Sequence, residues 1–576
     1  MVGAVVVGAV VVGAVVAGGR VVGSSTVGRV AELVAGTLVI PVDGKPSVRS
    51  DVAVVPPMVA SVCEFVVLPH ATKPNAHAPA IAATTRLEDI RRRLLPGAAS
   101  RRRPTRRVAA TVAAMSSETK RVDAVVVGAG TAGANAAYQL ARRGHRVVLL
   151  ERRAAHRAGA QWHNGVLDWQ FARAGLAPPE GPERADAGRV THLFGPDGAH
   201  GVTVHDSPVV RADMHLLGVR LRALATDTGV ELVDHVASLD VDVRRDRIIA
   251  VEVTTDRTDG APRNAIRFEA PLFVDASGRR GVLRRHVPAL ARWCPEVRGS
   301  ELCTASDHHI RIDNPDGAKR FLERHGAKPG EAVTVVGLEG GFSTRAITVS
   351  QDLEQASVLV GCLADGRHSS GPRMMAATRV AEPWLGASIS GGSGVIPLRR
   401  PFARFTAPGV ALVGDAACQV FPAHGSGIGM GLIAGRMLAD AVGEHADPGD
   451  EQVLWNYQAS FQHEHGGVLA AFDAFRRMST ALGGEGVRRM IRAGLLTEDM
   501  TRGGLEQRWQ TPPLSRLPTM ARKLAAVPGV AMAMLPSLAS GQRLWRMGPR
   551  HPHLVDVLAL ERWDAAMKGM LGPLPS

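Results

Sequence analysis

From about position 120 the chain alternates between short apolar runs and stripes of apolar residues at helical spacing. Ala124–Val127 is an uninterrupted apolar run, the pattern of a strand buried on both faces. It enters Gly128-Ala-Gly130-Thr-Ala-Gly133. An alanine-rich amphipathic helix is predicted from about Ala132 to Arg143, with Gly144 placed to cap it. A second run, Val147–Leu150, ends in Glu151. Residues 154–204 carry no such period and read as irregular. Met214, Leu217, Leu221 and Leu224 then mark a helix predicted from Ser207 to near Gly229. Strands are predicted at 230–233, at 236–243 and 248–254 around Arg244-Arg-Asp-Arg247, and at 270–274, the last ending in Asp275-Ala-Ser-Gly278.

Between 290 and 395 the pattern is mostly β, with runs at 305–312, 332–338, 343–349 and 357–363 and one helix at 318–325. This reads as an inserted, mostly antiparallel sheet. Residues 409–414 form another apolar strand, and a helix follows at 432–442. From 451 onward the pattern is helical. The stretch 524–542 lacks charge, but Pro528 and Pro536 interrupt it, so it reads as core or membrane-surface helix and not as a span. The predicted fold class is therefore α/β. A Rossmann-type βαβ domain in two parts (115–290 and 396–450) carries an inserted antiparallel sheet domain (291–395) and a C-terminal helical region (451–576).

Composition changes this picture at one end. Residues 1–114 hold 14 Lys+Arg against 6 Asp+Glu, a net +8 of the whole chain's +14. They open with a Val/Gly/Ala near-repeat and contain a single aromatic residue, Phe65. We expect this stretch to be a low-complexity leader, disordered or not native, with Met115 as a natural start; residues 1–19 also approach the length of a membrane span. The remaining body is mildly basic, so nucleic-acid binding is not implied. The five cysteines form no CxxC pair and fit neither a zinc site nor a disulfide framework. No metal is expected, and a reducing, cytoplasmic location is the default, with a membrane-peripheral one open through the C-terminal helices.

Candidate chemistry lies at the strand ends. Gly128 permits a tight turn, Gly130 lets a pyrophosphate approach the backbone, and Gly133 lets helix and strand pack closely. The following helix N-terminus offers free N–H groups to phosphate. Glu151, with Arg152 beside it, stands where a carboxylate accepts ribose hydroxyls. Far downstream, Gly414-Asp415-Ala-Ala-Cys418 and Pro422-Ala-His424-Gly425-Ser-Gly427-Ile428 repeat the arrangement of a strand, an acid and a glycine-rich turn before a helix. His163, His424 and Cys418 are the catalytic candidates, since an imidazole near pH 7 exchanges protons and a thiol can react.

Four pieces in this order resemble one family. They are the fingerprint with Glu151, Val209-Val-Arg211-Ala-Asp213, Val274-Asp275-Ala-Ser-Gly278, and Gly414-Asp415-Ala-Ala…Pro422…Gly425-Ser-Gly427-Ile428. Together they are similar to the FAD-dependent oxidoreductases of the para-hydroxybenzoate hydroxylase-like fold, nearest to the geranylgeranyl reductase-like branch. The resemblance covers about 122–442. It implies non-covalent FAD, with Gly128, Gly130, Gly133, Glu151 and Arg211 at its ADP half, Asp415 at the ribityl chain, and Gly425, Gly427 and Ile428 near the isoalloxazine; Arg152, Gly414 and Pro422 are further cofactor-binding candidates. Three departures shape the expected reaction. The mid-chain Asp-Gly of flavin hydroxylases is missing. No lysine occurs between Lys120 and Lys319, which disfavours a halogenase. Near Gly340, Phe342 alone keeps the aromatic character of the Tyr-x-Trp-x-Phe-Pro motif of geranylgeranyl reductases, which counts against an isoprenoid double bond.

The expectation is an FAD-dependent oxidoreductase passing hydride through the flavin to a small apolar, isoprenoid-like or aromatic substrate. A monooxygenase tailoring an aromatic or polyketide-like metabolite is the alternative, and a non-catalytic flavin-binding protein a third reading. No second nucleotide fingerprint is visible, so NAD(P)H would bind transiently or act through a separate reductase. The sequence gives no oligomeric state.

Overall fold

The computed structural model describes residues 118–574 apart from 186–188, 257–264 and 512. The expectations for the leader, including Cys63 and the 1–19 stretch, lie outside the described residues.

A six-stranded sheet carries the fingerprint. Its order is Thr406–Ala407, Val410–Leu412, Leu272–Asp275, Ala124–Val127, Val147–Leu150 and Glu231–Val233, with every pair parallel except the first. The central strands are buried on both faces because helices cover them. Thr131–Ala141 is the fingerprint helix. Its alanines let the glycine-rich helix Ile428–Val442 approach closely: a Cβ on Gly435 would lie 3.0 Å from the Ala136 nitrogen. Burying a side chain such as Leu149 or Ile433 contributes about 1.5–3 kcal/mol.

The helix expected from Ser207 starts later. Val209–Asp213 is a strand paired antiparallel with His163–Leu167, and the helix is Met214–Asp227. The reason is local. Val209 and Val210 are β-branched, and the Asp213 carboxylate accepts the N–H groups of His215 (2.8 Å) and Leu216 (3.0 Å), capping the helix at that point.

A seven-stranded sheet forms the roof, in the order Leu385–Pro397, Leu302–Ile312, Gln355–Leu363, Ser343–Val349, Ala332–Val336, Thr191–Phe194 and Gly201–Val204. The last two strands come from the stretch without visible period, so the roof is not confined to 291–395. They are four-residue strands at one side of the sheet that mix apolar and polar side chains, too few for alternation to show. Leu385–Pro397 was hidden for another reason: its Gly391-Gly-Ser-Gly394 core has no apolar period, yet it pairs along nearly all of Leu302–Ile312.

The C-terminal region is helical. Glu451–Phe461 runs through a π-turn at Gln462–Gly466 into Gly467–Arg492, which kinks at Gly483. Glu498–Leu505, Leu517–Ala525, Pro528–Met547 and Val557–Leu571 follow. The uncharged stretch is split at Pro528, which opens a helix where its missing N–H costs nothing. Val530 and Met534 face inward and Met532 is 78% exposed. Among the described residues no helix is long and apolar enough to cross a membrane.

Candidate functional site

One cavity of about 1390 Å³ runs between the fingerprint edge of the parallel sheet, the roof and the C-terminal helices. It exceeds the roughly 300–1,000 Å³ of a typical single-ligand pocket. At one end lie Gly128, Gly130, Glu151 and Arg152; beside them lie Gly414, Asp415, Gly425, Gly427 and Ile428. Other walls are apolar, with Phe472, Phe475, Met490, Ile491 and Trp509 among them, Phe472 packing 4.5 Å from Phe421 of the second glycine turn.

The fingerprint turn is built for close backbone approach. Gly128 has φ +106°, and a Cβ there would lie 2.4 Å from the Ala276 carbonyl oxygen. A Cβ on Gly133 would lie 1.9 Å from the Gly128 carbonyl oxygen, so this glycine lets helix and turn touch and does not itself line the cavity. Gly130 differs. Its φ is an ordinary −67°, and the nearest atom to an added Cβ is the Gly159 Cα, 3.8 Å across the groove. Glu151 accepts the N–H groups of Ala129 (3.1 Å) and Arg153 (3.0 Å). The helices starting at Thr131 and Ile428 both lack a side-chain cap and an acidic residue in their first turn. Their positive ends are therefore available to phosphate or another acceptor.

Asp415 faces the cavity below Gly427, and burial pushes its carboxyl up to about 6, with Arg279 opposing. Its turn is held from behind. The Gly414 N–H donates to Gln419 (2.7 Å), Gln419 donates to the Tyr457 hydroxyl (2.9 Å), and Tyr457 donates to the Leu412 carbonyl (2.9 Å). Asp275 plays a different part from Asp415. It is fully buried and accepts from Ser277 and from the Leu283 N–H (2.7 Å), shaping the loop whose residues 276–280 line the cavity.

These residues fit FAD: an open glycine groove, uncapped helix ends, and a cavity-facing acid near a second glycine turn. The comparisons agree. Residues 123–179 match the family described as FAD dependent oxidoreductase. A digeranylgeranylglycerophospholipid reductase of Sulfolobus acidocaldarius is 22% identical over 409 residues, 66% of this chain and 81% of that protein. Another of Methanopyrus kandleri is 25% identical over 368 residues, 62% of this chain and 87% of that protein. A solved geranylgeranyl bacteriochlorophyll reductase-like protein of Thermoplasma acidophilum shares the fold, with a TM-score of 0.57 at 16% identity over 73% of this chain and 100% of that one.

The chain is an FAD-dependent oxidoreductase. The resemblance to the geranylgeranyl reductase-like branch holds, and FAD is the cofactor.

The oxidoreductase does not bring all its sequence candidates to the cavity. His424 lines it. Its ring packs on Phe421 (4.6 Å) and hydrogen-bonds the Gly504 backbone, and burial drives its pKa down to about 4. It is thus a neutral imidazole tying the glycine turn to the C-terminal helices. Cys418 is a correction. It is fully buried behind the turn in a left-handed conformation, away from the cavity lining, and burial pushes its thiol up to about 12. Such a thiol is unreactive. Pro422 is likewise buried behind the turn. The other described cysteines, Cys294, Cys303 and Cys362, are free. Among the described residues no cluster could hold a metal.

His163 sits one layer back. Its ring stacks 4.0 Å from His309 and lies 3.8 Å from Asp213, while its neighbours Trp162 and Asn164 line the cavity. Arg211, expected at the ADP half of FAD, is a second correction: it lines the cavity with its strand partner Gly165 held by Ser426 of the second glycine turn, and its guanidinium points at a roof residue, with Nη2 3.6 Å from the Asp307 carboxylate. Three contributors escape sequence reading. Arg222 donates to the Ala129 (3.3 Å) and Ala158 (3.4 Å) carbonyls, joining both walls of the groove. Gly159 faces Gly130. Asp307 left one signal, an acid in strand register with Cys303 and Ala305.

Proposed function

We propose that this oxidoreductase saturates carbon–carbon double bonds of an elongated isoprenoid-type chain. The observation that carries the reading is the continuity of the cavity from the FAD groove into an apolar arm. The arm's aromatic surface comes from Phe472, Phe475 and Trp509 of the C-terminal region, with Phe472 edge-on to Trp509 at 5.6 Å. The curated relatives carry digeranylgeranyl lipid names, which supports the same substrate class.

In this reading the Gly128–Ala132 backbone, Glu151 and Arg152 hold the ADP half of FAD, and Asp415 holds the ribityl hydroxyls. Gly425, Gly427 and Ile428 adjoin the ring. FAD, when bound, supplies two-electron transfer. The protein orients the chain against it and excludes water with the arm's apolar walls.

The test is anaerobic reoxidation of the dithionite-reduced enzyme by a panel of polyprenyl alcohols, quinones and aromatics. Polyprenyl chains are expected to reoxidise it with a product mass gain of two hydrogens. Oxygen-dependent turnover with a gain of one oxygen would favour the monooxygenase alternative. Phe472→Ala opens the arm. It is expected to raise KM for polyprenyl chains about 10-fold or more, with little change in FAD content.

The C-terminal region extends the reading to a membrane surface. Between Glu506 and Asp556 the chain carries seven cations and no carboxylate, and Met532, Leu554 and Leu558 are exposed. Such a cation-rich stretch suits anionic lipid, each cation near the surface contributing about 1 kcal/mol. Co-sedimentation with phosphatidylserine vesicles is expected, falling sharply in Arg522→Glu/Arg543→Glu and at high salt. Equal binding to neutral vesicles would argue against it.

A further inference from the structure

Among the described residues three carboxylates line the cavity: Glu151, Asp415 and Asp307. The first two stand at the fingerprint and the second glycine turn. Asp307 belongs to neither. It lies on the roof strand Leu302–Ile312, on the face shared with Cys303 and Ala305. Its lateral neighbours on that face are Leu359, Ala346, Thr334 and Leu193, read strand by strand through the register. Among the described cavity-lining residues of the roof strands it is the one ionisable acid.

Its surroundings are those of a held but incompletely paired acid. Arg211 reaches it from the opposite layer at 3.6 Å, a distance for charge attraction and not for a hydrogen bond. Asp307 Oδ1 and Arg211 Nη2 are both buried without a hydrogen-bond partner, and so are His309 Nε2 and His163 Nδ1 beside them. Leaving such atoms unpaired costs about 1–3 kcal/mol each, a cost usually retained at functional sites. Arg211 also fixes where along the cavity this happens. It stands opposite Gly165 in the strand pair, and the Gly165 carbonyl accepts the Ser426 hydroxyl (3.4 Å). Asp307 therefore belongs to the end of the cavity formed by the Gly425–Ile428 turn.

Resting on the double-bond reduction proposed above, we infer that Asp307 is the acid that protonates the substrate carbon, with Arg211 as its positioning and charge-stabilising partner. Saturating one double bond needs two electrons and a proton delivered as hydride to one carbon, and one further proton at the neighbouring carbon. Bound FAD, once reduced by a nicotinamide or a separate reductase, would supply the hydride. The Asp307 O–H bond breaks and a C–H bond forms. The electron pair of the O–H bond stays on the carboxylate, facing Arg211, and water restores the proton after product leaves.

The electrostatics of the pocket agree with this geometry. Burial raises the Asp307 carboxyl to about 6, Arg211 partly opposing, and His309, beside it, is driven by its own burial down to about 4 and stays neutral. His163 is also lowered, by burial and by Arg211, with Asp213 opposing. The groups facing Asp307 are thus Arg211 and Asp213 from one strand, His163 from its partner and His309 from its own. A substrate that expels water raises the carboxyl further.

The experiment uses reduced, FAD-loaded enzyme mixed with geranylgeraniol. Wild-type reoxidation should slow as pH rises through about 6. Asp307→Asn should keep its FAD content and its reduction by dithionite, lose about 10²–10⁴-fold in reoxidation rate, and lose the pH dependence. Arg211→Gln should move the break to higher pH, because a cation that favours the carboxylate is gone. In FAD-free protein, infrared titration should find a protonated carboxyl band at pH 5 that Asp307→Asn lacks. Wild-type rates and pH profile in Asp307→Asn would overturn the assignment, as would absence of that band. If no polyprenyl chain reoxidises wild type while the band is present, the reduction reading fails and the assignment of Asp307 as its acid falls with it.

Discussion

Gly130→Trp should purify as a folded, colourless protein. Its backbone is in ordinary extended geometry and no atom lies within 3.8 Å of an added Cβ, so nothing in the fold resists a side chain. The indole would instead project into the groove between Gly130 and Gly159, where the relation to FAD enzymes puts the pyrophosphate. We expect FAD affinity to fall at least about 100-fold, about 2.8 kcal/mol, with an unchanged circular-dichroism spectrum and unfolding midpoint of the flavin-free chain. Gly128→Ala is the contrast. Its positive φ and the 2.4 Å approach to the Ala276 carbonyl put the penalty on the fold, so that variant should lose stability as well as colour. Full flavin occupancy in Gly130→Trp would refute the groove assignment.

Asp473→Ala should cost about 3–5 kcal/mol of stability, the usual result of removing one partner from a buried ionic cluster. Asp473 is fully buried on helix Gly467–Arg492. Its carboxylate accepts the Arg400 N–H (3.1 Å) and pairs with Arg476 (3.0 Å) and Arg477 (3.2 Å). Arg476 donates onward to the Ser300 carbonyl (2.8 Å) and Arg477 to the Gly572 carbonyl (3.0 Å). Arg400 in turn pairs with Asp564. The cluster thus ties the segment after the roof strand Leu385–Pro397, the start of the roof and the last helix together. Burial disfavours its charge, but the two arginines outweigh burial and hold its pKa below the usual carboxylate range. A lowered folded pKa gives stability that is complete above the unfolded value, about 3.9, and is lost as pH falls below it. Urea unfolding of wild type and Asp473→Asn should therefore differ most near pH 7 and converge in acid. A constant gap across pH would mean that packing, not charge, is lost.

The two glycine turns and their acids were legible because their chemistry is local. A tight turn, a free helix end and a strand-terminal carboxylate all fall within a few residues, so spacing alone states the geometry. The parallel core was legible for a similar reason, since strands buried on both faces become unbroken apolar runs. The roof was legible only in part. Thr191–Phe194, Gly201–Val204 and the glycine-rich Leu385–Pro397 gain their strand character from partners far away in sequence.

Cys418 and Asp307 mark the same boundary from opposite sides. Cys418 adjoins Asp415 in sequence, but the turn rotates it into the core, where it carries no reactive thiolate. Asp307 lies in an ordinary-looking strand, and only the docking of Arg211 from another layer turns it into a site. The aromatic arm is a third case, assembled from helices outside the span that the family resemblance covers. The amino-acid sequence by itself determined the glycine turns at the sheet edge, the α/β class and the FAD-dependent enzyme class, because each rests on contacts among near neighbours. Which side chains face the cavity, how long its apolar arm is and where its one unassigned carboxylate stands were decided by the tertiary structure. Those properties depend on which distant layers pack together, and no local pattern encodes that.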